Sequence, residues 1–138
     1  MSLLQLYLYD QQTWAVLEDS IRQLVIYGNE VFVIMGSYGN GGIGNNGWAS
    51  TISNGRVAVP ANVWKVVVVI PNGNDDLRRI NNTTRVIAVN TPNINTVNRN
   101  WKLYRTSVDD IEALIGFNIL SNVSGSVQQI IESKVDTL

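Results

Sequence analysis

The sequence of 138 residues predicts an α+β fold, a mainly antiparallel sheet flanked by helices. Three observations point there. The patterns run helix, strands, helix, helix, with tight loops between the core strands. Hydrophobic residues make up 45% of the chain and charged residues 15%, enough apolar material for a packed core and too much for a disordered chain. The length suits a single domain over residues 1–138, and no repeat, heptad pattern or domain-sized linker divides it.

Along the chain, Asp10 to Tyr27 reads as an amphipathic helix, with Trp14, Leu17, Ile21, Leu24 and Val25 recurring on one apolar face. Gly28 is placed to end it, because glycine takes the left-handed conformation of a helix C-terminus easily. Val31 to Met35 is β-branched and aromatic, the composition of a buried strand. Gly36 to Gly55 is rich in Gly and Asn and reads as a loop with a short strand near Ala49 to Ile52. Arg56 to Val59 alternates and stops at Pro60. Trp64 to Ile70 is the strongest strand pattern, apolar on both faces except at Lys65, which predicts a central strand covered on both sides. Asn72 to Asn82 is a polar loop, Arg85 to Asn90 a second core strand stopped by Pro92, and Trp101 to Arg105 a short edge strand. Ser107, with Asp110 three residues on, has the form of a capping box. Its helix is expected to turn Val108, Ile111, Leu114 and Ile115 inward and to close at Gly116. A last helix is expected to open at Ser126 over Val127, Ile130 and Ile131.

Composition excludes several chemistries. Without cysteine there is no disulfide, thiolate nucleophile or thiolate metal site, and without histidine there is no imidazole ligand or base. A formal charge of -1 means that any contact with nucleic acid rests on a local basic patch rather than on global attraction. The longest strictly apolar run, Val66 to Pro71, is far short of the roughly 20 residues a membrane-spanning helix needs. Met1 to Tyr9 is apolar but has no basic leader, so it does not read as a signal peptide.

Gly39, Gly41 and Gly44 match a G-x-G-x-x-G spacing after a strand. No helix pattern comes after them and no acid appears before Asp75, so they read as a flexible loop rather than a dinucleotide site. The Asn-x-Ser/Thr matches at Asn81, Asn82 and Asn122 are what an Asn-rich chain produces by chance. The first helix is more informative. Glu18 and Arg22 are four residues apart, which ordinarily gives an exposed ion pair worth a few tenths of a kcal/mol. Asp10, Trp14, Glu18 and Arg22 also lie along one i,i+4 ridge. Two carboxylates followed by an arginine suit a hydrated divalent cation beside a phosphate.

That ridge resembles the metal-binding helix of the DNA/RNA non-specific endonucleases, the ββα-metal (His-Me finger) group, whose pattern is Asn-x-x-x-Trp-x-x-Leu-Glu with an arginine four residues later. Trp14, Leu17, Glu18 and Arg22 match without a gap. Glu30 to Gly36, Val59-Pro60 before Trp64 to Val69, and Thr84 to Pro92 are similar to the family's later strands, as is Leu120 to Val123 into Ile131 to Ser133. The likeness runs from Asp10 through nearly the whole chain and implies the later portion of such a nuclease, with Mg²⁺ or Mn²⁺ as cofactor and nucleic acid as partner. By resemblance Asp10 and Glu18 are the metal residues, Asp10 on the ion and Glu18 on its water shell. Glu18 and Arg22 are the catalytic pair, with Arg22 on the phosphate.

Two departures shape the expectations. The family's Asp-Arg-Gly-His signature precedes this helix, and its histidine activates the attacking water; this sequence holds neither. The family's metal-binding asparagine falls at Asp10, an acceptable Mg²⁺ ligand of different charge. The expectation is a truncated nuclease-derived domain that binds a divalent ion weakly and does not cut alone. The alternatives are a non-enzymatic remnant or interaction module, and one half of a split nuclease completed by another chain. Family members are commonly exported, and the compartment stays open. A homodimer is also expected, with Leu3, Leu4, Leu6, Tyr7, Leu8, Tyr9 and Val66 to Ile70 near the contact and with the Trp14 face of the helix uncovered.

Overall fold

The computed structural model describes residues 11–44, 47–52 and 54–138. Helix α1 (Gln11–Ile26) leads into strand β1 (Asn29–Tyr38). Next are two small hairpins, β2 (Gly42–Gly44) with β3 (Gly47–Ala49) and β4 (Thr51–Ile52) with β5 (Val57–Ala58). Then come strand β6 (Asn62–Pro71), a single helical turn α2 (Asp76–Arg79) and strand β7 (Arg85–Pro92). A 3-10 turn (Trp101–Tyr104), strand β8 (Arg105–Thr106) and helices α3 (Val108–Ile115) and α4 (Gly125–Ile131) complete the order. The main sheet has four strands, all antiparallel, in the order β1-β6-β7-β8. The fold is α+β, as the sequence predicts.

Strand β6 is central, and its alternation sets the two cores. Val63, Val67 and Val69 point to one face, where they meet Trp14, Leu17 and Ile21 of α1 together with Trp101. Trp64, Val66, Val68 and Ile70 point to the other, against Val108 and Ile111 of α3, Ile131 of α4, and Leu120 and Val123 before it. Each fully buried aliphatic side chain contributes about 1.5–3 kcal/mol of transfer free energy. α1 ends where expected, with Gly28 at φ 92° and the Asn29 side chain donating to the Leu24 carbonyl at 2.9 Å. α3 starts where expected, with the Asp110 N–H donating to Ser107 Oγ at 3.1 Å.

Other expectations are corrected. Val31 to Met35 is not a buried strand: among the described residues β1 pairs only with β6, and Phe32, Val33 and Met35 are 41%, 45% and 56% exposed. Composition gives strand propensity, but the rank of a strand in its sheet depends on which distant segments pair with it. The Gly36 to Gly55 stretch is not mainly loop, because β1 runs on to Tyr38 and strands β2, β3 and β4 lie within the rest of it. Trp101 to Arg105 is a 3-10 turn leading into a two-residue strand rather than a strand. Val25, Leu114 and Ile130 are exposed, each at the rim of its helix's apolar face. The last helix opens one residue early, at Gly125 after Ser124. Val66 to Ile70, expected near a subunit contact, is the sheet interior, and Trp14, expected to be uncovered, is buried. The leader residues Leu3 to Tyr9 lie outside the described residues.

Candidate functional site

The site candidates of α1 sit on the flank of the helix, beside its buried face. Trp14, Leu17 and Ile21 anchor the helix on the sheet, which leaves Glu18 and Arg22, one turn apart, at the edge of the contact. Beneath them, on β6, is Lys65. Period-two alternation places it on the α1 face between Val63 and Val67, paired across the sheet with Met35 and Val89. Glu18, Arg22 and Lys65, with Ile21 and Val33, line one cleft of about 250 Å³.

The electrostatics differ from the simple i,i+4 expectation. Glu18 pairs with Lys65, Oε1 to Nζ at 3.6 Å, and not with Arg22. Arg22 instead donates to Asp19 at 3.0 Å, an exposed pair one turn back. The Lys65 side chain is only 8% exposed while that of Glu18 is 48% exposed. A cation withdrawn from water needs compensation. Lys65 finds it in the Glu18 carboxylate and in the face of Trp14, whose ring centroid lies 4.6 Å from Nζ. A cation over an aromatic face is worth about 1 kcal/mol or somewhat more when desolvated. Asp10, the other expected metal residue, lies outside the described residues. The structure thus brings Glu18 and Arg22 to one cleft and adds Lys65, whose signal was its place as the single charge in the β6 run.

A second group of charges lies in the layer on the opposite face. Asp109 and Glu112 of α3 and Glu132, just after α4, bring carboxylate oxygens within 4.8 Å of one another. Glu112 accepts the Ile119 N–H at 2.6 Å. Glu132 is buried, and its Oε1 has no hydrogen-bond partner. Burial, and after it the negative charges of Glu112 and Asp109, push the Glu132 carboxyl up to about 7. A retained proton relieves that like-charge crowding. Sequence reasoning missed it because its third member comes from a separate helix.

The chain spans 43% of the length of a curated relative, a nuclease of Nostoc sp., to which it is 43% identical over 127 residues, 92% of this chain. The family model described as DNA/RNA non-specific endonuclease matches residues 8–126, a stretch that contains α1, the main sheet and α3. Glu18, Arg22 and Lys65 all fall within it. On that match and that identity, the chain belongs to the DNA/RNA non-specific endonuclease family.

Proposed function

We propose that this chain carries the metal- and phosphate-handling part of a nuclease that hydrolyses phosphodiester bonds in DNA and RNA. One observation supports the reading best: Glu18 and Arg22, the last two positions of the family-like helix motif, open onto a single cleft with Lys65 beneath them. A hard divalent cation such as Mg²⁺ or Mn²⁺ takes oxygen donors and keeps several waters. The half-exposed Glu18 carboxylate fits the water shell of such an ion, and Asp10 is the candidate for its direct ligand. When bound, the ion would stabilise negative charge developing on the phosphate. The chain's own residues do the rest. Arg22 spends one nitrogen on Asp19 and keeps further donors for phosphate oxygens. Ile21 and Val33 give the cleft an apolar wall.

The sequence contains no histidine, so the 138 residues supply no imidazole to activate water. The chain alone therefore does not turn over. Plasmid relaxation with Mg²⁺ or Mn²⁺ checks this, run beside the Glu18→Ala/Arg22→Ala double variant. No cutting is expected from either, and cutting that the double variant loses would contradict the proposal. Calorimetry with Mn²⁺ checks the site itself. Weak binding is expected, reduced in Asp10→Ala and in Glu18→Ala; superimposable isotherms would remove both residues from the site.

Self-association has its own support. Among the described residues β1 is a sheet edge, and it exposes Phe32, Val33 and Met35. An unpaired apolar edge is a template for a second strand, and two copies of one strand pair antiparallel across a two-fold axis. The occupant proposed is a second copy of this chain. Light scattering over a dilution series should report a dimer that Val33→Lys converts to monomer; a monomer at every concentration would exclude it.

A further inference from the structure

We infer that Lys65 is a positioning residue for Glu18: its ammonium occupies one carboxylate oxygen and so keeps Glu18 from closing on a cation with both. This rests on the reading of the cleft as a divalent-ion site. Strand β6 is buried on both faces, and Lys65 is its single charged residue. An apolar side chain of similar length would fill the same space without desolvating a charge. The ammonium is confined on one side by the Trp14 ring, 4.6 Å from Nζ, and Trp14 is itself fixed in the core. On the other side it meets Glu18 Oε1 at 3.6 Å.

Glu18 has no other ion-pair or hydrogen-bond partner among the described residues, because Arg22 is turned to Asp19. The carboxylate is therefore divided. One oxygen faces the ammonium, and the other is available to the cleft. A carboxylate held in this way takes a cation through one oxygen or through its waters. The nearby positive charge also repels the ion, at a cost set by Coulomb interaction at a few ångströms under partial screening. Lys65 thus trades affinity for a fixed, hydrated geometry.

The test uses Mn²⁺ alone as probe, on the full chain, with affinity and water proton relaxation as readouts. Lys65→Met is expected to bind Mn²⁺ about tenfold more tightly, from removal of one unit charge near the ion. The bound ion should also retain fewer exchangeable waters, because Glu18 can now chelate. Lys65→Arg keeps the charge and should not tighten binding, since its fork can cover both carboxylate oxygens. A purely structural lysine would weaken binding or leave it unchanged when replaced, and either result overturns the inference. Methionine substitutes an apolar chain of similar length for a buried charge, so folding should survive, and thermal melting of each variant verifies that. Glu18→Gln separates the two levels. If it weakens Mn²⁺ binding while Lys65→Met fails to tighten it, the role of Lys65 alone is overturned. If it has no effect, the ion is not at this cleft and both readings fall.

Discussion

Two of the buried ionisable side chains, one on each face of the sheet, are accommodated in opposite ways. Lys65, on the α1 face, meets an opposite charge and an aromatic ring at the floor of an open cleft. Glu132, in the α3–α4 layer, meets two carboxylates of its own sign, with one oxygen unpartnered. An unlike pair at a cleft mouth can exchange partners with a ligand, because a half-exposed carboxylate already faces solvent. A like-charged cluster responds instead by holding a proton on its buried member, Glu132. The same problem of removing charge from water yields a half-open ion pair on one face, the proposed binding element, and a pH-dependent stability element on the other.

Predictions from the largest effect to the smallest can break or sharpen that contrast. The benchmark is a fully engaged pair: Arg85 Nε and Nη2 donate to Asp136 at 2.7 and 3.0 Å, and the Asp136 side chain is 3% exposed. Arg85→Met leaves that carboxylate with only the more distant Arg105 at 3.6 Å and should cost about 3 kcal/mol in urea denaturation.

The Glu132 cluster comes next. Its folded value of about 7 stands above the ordinary 4.5, so across that window the native state holds a proton the unfolded chain has lost. Stability therefore falls as pH rises from about 4.5 to 7 and the contribution is gone above it, a drop of about 3 kcal/mol. Glu132→Gln should flatten the profile; an unchanged slope in that variant would place the proton elsewhere.

The cleft pair should be weaker and asymmetric. Glu18→Gln leaves a withdrawn ammonium with only an aromatic face and should cost about 1 kcal/mol, whereas Lys65→Met should be neutral or slightly stabilising. Equal losses in the two would mean that the pair is structural. The exposed Arg22–Asp19 pair sets the floor: Asp19→Ala should change stability by less than about 0.5 kcal/mol.

Much of the fold is legible in the sequence wherever the signal is local. The recurrence of Trp14, Leu17 and Ile21 gives α1 and its buried face, Ser107 with Asp110 gives the start of α3, and the run from Trp64 to Ile70, apolar except at Lys65, gives β6 as the central strand. The illegible features depend on distant partners. Nothing in Val31 to Met35 says that β1 is an edge, since its rank is set by which strands flank it. Helical spacing offers Arg22 as the partner of Glu18, and the fold supplies Lys65 from another strand instead. The carboxylate cluster needs α3 and α4 to dock before it exists. The lysine interrupting β6 is visible, but only the register of β6 beneath α1 gives it meaning.

The central claim, that this flank of α1 meets phosphate, is tested most directly by comparing two exposed arginines. Arg22 lies at the cleft, and Arg56 lies in the hairpin turn between β4 and β5. Fluorescence anisotropy of a short labelled DNA duplex at low salt with Mn²⁺ measures binding to the wild type, Arg22→Ala and Arg56→Ala. Each lost phosphate contact lowers affinity and reduces the salt slope. About a tenfold loss is predicted for Arg22→Ala, with a shallower salt dependence, and less than about a twofold loss for Arg56→Ala. Equal losses in the two variants, or none in Arg22→Ala, would contradict the claim.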